Sequence, residues 1–154
     1  METLLFHIAF IMTALALGGM VFFGAVTAPT IFINLDEFNA GKLIRAMFPR
    51  YYFYVAASST IGAIASLSHS YDAALGLGLS SLTAVCGWGV LMPRVNSARD
   101  SALTGDKKAA KTFEVLHRLS VWINFVGLLG VILATVVLSL NPENSQFIIK
   151  SIIS

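Results

Sequence analysis

Residues 4–26, LLFHIAFIMTALALGGMVFFGAV, form an apolar run of 23 residues whose only ionisable side chain is His7. As a helix rising about 1.5 Å per residue the run is roughly 35 Å long. A bilayer's hydrocarbon core is about 30 Å thick. In lipid the backbone must satisfy its own hydrogen bonds, and helices do so within one segment. The run is too long for a signal peptide and has no basic residues ahead of it, so a retained span is expected.

Composition supports the same class. Of 154 residues, 56% are hydrophobic and 12% charged, about half the charged fraction of a soluble domain. Further apolar runs lie at 51–68, 73–92 and 119–140. The expected fold is all-α: an integral-membrane four-helix antiparallel bundle, one domain over residues 1–154. Only His69-Ser70-Tyr71-Asp72 separate the second and third runs, which predicts a tight helical hairpin.

Segment 34–50 is amphipathic. Asp36 is placed to cap it, Phe38, Leu43, Ile44, Met47 and Phe48 give an apolar side, and Pro49 is expected to stop it. The pattern predicts a short helix along the membrane surface. Segment 94–118 is a basic loop whose second half, 107–116, can extend the fourth helix. The tail after Pro142 reads as interfacial.

Lysine and arginine set an expected orientation. Segment 34–50 carries three and 94–118 six, while the N-terminus and the 69–72 turn carry none. The positive-inside rule puts both basic segments in the cytoplasm and both termini outside, most naturally across a bacterial inner membrane. Tyr51, Tyr52 and Tyr54 then fall at the cytoplasmic boundary. A net charge of +2 without a continuous basic face argues against nucleic-acid binding.

No phosphate loop, zinc spacing, carboxylate pair or nucleophile elbow is present, and the spans hold no Asp, Glu, Lys or Arg. Cys86, the single cysteine, reads as a small buried hydrophobe. His7 shares a helix face with Ile11, Ala14, Gly18 and Ala25. A neutral imidazole beside small residues suits haem iron, with Gly18 making room for the macrocycle; an imidazole hydrogen-bonded near the outer boundary is the plainer alternative. His117 and Arg118 open the fourth run, and Val121, Asn124, Leu128 and Thr135 extend the His117 face as a partly polar stripe expected to point into the bundle. Arg94 and Arg99, with Arg118, offer a rim for carboxylates or lipid phosphates, or simply enforce topology. Met12, Met20, Met47 and Met92 share no spacing with Cys86 and His7 that would mark a soft-metal path.

The runs GGMVFFGAVTAPTIF, FPRYYFY, MPRVNSARD and FEVLHRLSVWIN resemble the small four-helix membrane proteins related to the human cisplatin-resistance-associated transmembrane protein, over roughly residues 5–135. The opening is more distantly similar to HemJ-type protoporphyrinogen oxidases and CopD-like bundles. It departs from the HemJ pattern at Thr30, where an arginine follows the proline, and in having no lysine between Ala73 and Met92. The HemJ resemblance implies His7 as the ligand of a haem b. From these residues a haem- or porphyrin-binding membrane protein is expected, extending to a HemJ-like oxidoreductase. In it Gly18, Arg94 and Arg99 contact the cofactor, and His117, Arg118 and Asn124 serve substrate or protons. The alternatives are a non-enzymatic subunit or homo-oligomer joined through glycine-rich faces, surrounded by membrane lipid, and a protein of metal or drug handling or export.

Overall fold

A computed structural model describes residues 2–140, and these form four long helices and no strand. They are α1 (Glu2–Asn34), α2 (Glu37–Ser66), α3 (Tyr71–Leu103) and α4 (Lys107–Leu140). The helices run antiparallel in sequence. The α3–α4 seam is the most extensive and the α4–α1 seam the slightest. The tail expected to be interfacial lies outside the described residues.

Each connection is short because the sequence stops one helix and caps the next. The Asp36 carboxylate accepts from the backbone N–H groups of Phe38 and Asn39, both at 3.1 Å, and starts α2. Hydrogen bonds from the Asn39 side chain and backbone hold the Asp36 carboxyl below its ordinary value. Ser70 caps α3 through Ala73 N–H. Gly105, at φ +94°, closes the last turn, where a side chain is strained. Asp106 then accepts from Lys108 and Ala109 N–H to start α4.

Three helices, α1, α3 and α4, are long and apolar enough to cross a membrane. The expected span at 51–68 corresponds to the second half of α2, which ends at Ser66 and is not among them. Its apolar character is diluted by Ser58, Ser59 and Ser66, all buried, and by Lys42, Arg45 and Arg50 at its start. Those serines point into the bundle and are satisfied there. Ser59 Oγ donates to Ser80 Oγ at 3.2 Å, and Ser58 and Ser66 donate to the carbonyls of Tyr54 and Gly62. Among the described residues no buried side-chain nitrogen or oxygen lacks a partner, as lipid surroundings demand.

The prolines act differently from the sequence expectation. Pro49 does not end a surface helix, because α2 continues through it to Ser66. A mid-helix proline removes one hydrogen bond and crowds one carbonyl. Here it lies at the polar end of α2, where the Arg50 guanidinium donates to Ala46 O at 2.7 Å. Likewise 94–118 is not a loop but a helical hairpin turning at Thr104-Gly105-Asp106. Pro29 and Pro93 each follow a π turn, at Phe23–Thr27 and Gly87–Leu91. The carbonyls these prolines would strike belong to Ala25 and Gly89, inside the widened turns, so the extra residue relieves the clash.

Along the α3–α4 seam, Gly76 and Gly130 face each other, and a Cβ on either would collide with the other's carbonyl oxygen. Gly78 on the same helix faces open space. Gly76→Ala and Gly130→Ala should each destabilise the bundle by about 1–3 kcal/mol through overpacking, while Gly78→Ala, free of any clash, should be neutral or stabilising by up to about 1 kcal/mol. Circular-dichroism melting in detergent reads the difference.

Candidate functional site

Where the two π turns and Pro49 come level, the four helices meet in an aromatic and amide cluster. Asn124 on α4 is its hub. Its Nδ2 donates to Tyr52 Oη at 3.0 Å and to Ser120 O at 2.8 Å, and its Oδ1 accepts from Tyr51 Oη at 3.3 Å. Phe23, the first residue of the α1 π turn, stacks on Tyr51 with ring centres 4.4 Å apart. Phe48 stacks on Tyr52 at 5.4 Å. Gly87, the first residue of the α3 π turn, lets the Tyr52 ring lie against the backbone, where a Cβ would clash with it. Tyr52 is 2% exposed. This closed arrangement of phenols and one amide offers no charged acid or base; it clamps helices.

A basic collar lies beyond the clamp. Nine of the ten lysines and arginines are at this end of the bundle, and the tenth, Lys150, is outside the described residues. Arg45 on α2 binds Asp100 on α3 in bidentate fashion, at 2.9 and 3.0 Å. The Arg99 guanidinium crosses Gly41, where a Cβ would occupy its place, and donates to Glu37 O at 2.9 Å. Arg118 pairs weakly with Glu114 at 3.5 Å, both side chains about two-thirds exposed. His117 stacks on Phe113 and is exposed rather than turned into the bundle. Of the three residues His117, Arg118 and Asn124, only Asn124 reaches toward the interior.

His7 lies at the other end. Its Nδ1–H donates to Thr3 O at 2.6 Å, and its neighbour Phe6 stacks on His69 in the 67–70 turn. Since α2 runs some 30 residues between that turn and Arg99, roughly 40 Å separates His7 from Arg94 and Arg99. One porphyrin cannot reach both, so the ligand and propionate residues expected from sequence do not form one haem site. Gly18 is three turns from His7, about 16 Å along α1. Among the described residues no group of three His, Cys, Asp or Glu side chains converges on a metal-sized position.

Gly18 instead opens onto the slight α1–α4 seam. A groove of about 370 Å³ runs there between Phe10, Ala14, Leu17, Gly18 and Val21 of α1 and Thr135 of α4. Nothing approaches within 4 Å of a Cβ built on Gly18.

Sequence reasoning placed Tyr51 and Tyr52 in an aromatic belt and overlooked the clamp. The cue was the density of rings in FPRYYFY facing a lone asparagine in an apolar run. The Arg45–Asp100 pair, 55 residues apart, left no local trace.

Residues 11–103 match a family described as a domain of unknown function, DUF4149. That stretch takes in both π turns, Gly18, Pro49, Arg94 and Arg99; His7, His117, Arg118 and Asn124 fall outside it. No curated protein and no solved structure matches the chain.

Asn124→Ala removes all three side-chain hydrogen bonds and should cost about 1–2 kcal/mol, given the modest worth of such bonds in membranes. Asn124→Asp in place of alanine tests whether the amide's two donors matter. Both are read by thermal unfolding in detergent, with tyrosine fluorescence reporting on the rings.

Proposed function

The chain belongs to the DUF4149 family, and we propose that it is a non-enzymatic integral-membrane subunit that self-associates through the α1–α4 seam. The groove beside Gly18 carries this reading. It is apolar, open to the surroundings, and floored by small residues that let a second helix approach closely. Exposed large side chains, Phe10, Ile11, Leu15 and Val21 among them, flank it. The partner is a second copy of this chain.

Its setting in this proposal is the bacterial inner membrane, with the basic collar in the cytoplasm and both termini outside. The support is the segregation of charge: nine cations at one end, against Glu2 and Asp72 as the described charged residues at the other. Helices of 33 or 34 residues are about 50 Å long. They therefore overhang the hydrocarbon core by about 20 Å, and the collar lies in that overhang.

Two measurements test these statements. With Cys86→Ser as background, Tyr71→Cys should react with a membrane-impermeant maleimide in intact cells, and Thr104→Cys only after permeabilisation; the reverse pattern inverts the topology. In the same background, Ala14→Cys should form a disulfide-linked dimer in native membranes. Adding Gly18→Leu should abolish the dimer while changing monomer stability by less than about 0.5 kcal/mol. A monomer at every expression level, or a dimer indifferent to Gly18→Leu, overturns the association.

A further inference from the structure

Beyond self-association, we infer that the groove between the ends of α3 and α4 is a binding site for the phosphate headgroup of an anionic phospholipid. The groove encloses about 660 Å³. Arg94, Ser97 and Ser101 recur along one face of α3, and Lys108, Thr112 and Leu116 along the facing side of α4, with Ala98 and Ala109 as its floor. This inference rests on the chain being a membrane bundle but not on its dimerisation.

Three observations select an anionic lipid. First, the other cations that cross between helices at this end are engaged: Arg45 by Asp100 and Arg99 by Glu37 O. Neither Arg94 nor Lys108 pairs with a carboxylate among the described residues. Second, the one carboxylate lining the groove, Asp106, is turned to the backbone, its Oδ1 accepting from Lys108 N–H at 2.8 Å and Ala109 N–H at 3.1 Å. The hydroxyls of Ser97 and Ser101 add donors on the α3 side. Third, the level is right. Trp88 on α3 and Trp122 on α4 are both exposed, at 40% and 64%, and tryptophan marks the bilayer boundary. Arg94 and Leu116 each lie six residues beyond, about 9 Å along the helix, in the headgroup layer. A basic cleft between helices on the cytoplasmic face is the form that multiply anionic headgroups recognise.

The test is native mass spectrometry of the full chain in detergent, titrated with phosphatidylglycerol. Wild type is expected to retain the lipid saturably and to prefer it to phosphatidylcholine. Arg94→Gln with Lys108→Gln should weaken retention about tenfold, while Arg94→Lys with Lys108→Arg preserves it. Lys42→Gln with Lys111→Gln, which removes two cations outside the groove, should leave it unchanged. Circular dichroism of each variant confirms that helicity is intact, since neither groove cation holds the fold together. Equal retention by the groove variant and wild type overturns the inference, as does equal retention of phosphatidylcholine. Displacement by inorganic phosphate at matching concentration assigns the site to the free ion and overturns the lipid assignment. Failure of the membrane reading appears separately, as wild type that does not float with liposomes.

Discussion

The hydrogen bonds that Asn124 makes to Tyr51, Tyr52 and the Ser120 carbonyl fix the level at which four helices come together. On one side of that level the interior is mostly apolar and knit by small residues: the Gly76–Gly130 contact, the Ser59–Ser80 bond, Leu77 and Val131 in the core. On the other side the same four helices are held by charge, through Arg45–Asp100 and Arg99 over Gly41. Both ring stacks and the close approach at Gly87 involve the same two phenols that the asparagine holds.

That division explains why helices of such different composition share one bundle. The serines of α2 are tolerated because they face inward and meet donors or acceptors there, while its outer face still presents Phe53, Ile61 and Ile64. A lone buried serine costs stability, but one that donates to the carbonyl four residues back, as Ser66 does to Gly62, is close to neutral. The helix least suited to lipid by composition thus turns its hydroxyls inward and its large apolar side chains outward.

Much of the architecture was legible because it depends on local chemistry. Helices α1 and α4, the cap at Asp36 and a hairpin close to residues 69–72 all follow from apolar runs and short-range signals. The extension of α4 from Lys107 follows in the same way. What escaped was long-range or conformational. Pro49 reads as a stop in sequence, and only the continuing helix shows it accommodated. The 94–103 stretch looked like a loop because polar composition does not distinguish a loop from a helix leaving the membrane. Part of the candidate site was legible in the same way. His7, Arg94 and Arg99 each suit a haem site as residue types, but the charge-derived topology already sets His7 at the opposite end of the bundle from the two arginines, in keeping with the roughly 40 Å between them, and the inward turn of Asn124 follows from the face it occupies on α4.

The π turns have one more consequence. Each inserts an extra residue into an otherwise regular helix, and one residue is about 100° of rotation. The end of α3 is therefore turned by about that angle from where an unbroken α-helix would carry it, and the turn helps set the direction in which Arg99 leaves the helix to cross Gly41. The insertion at Gly87–Leu91 fixes the phase between the apolar and charged halves of α3, so removing one residue there would re-aim the charged half against an unchanged apolar one.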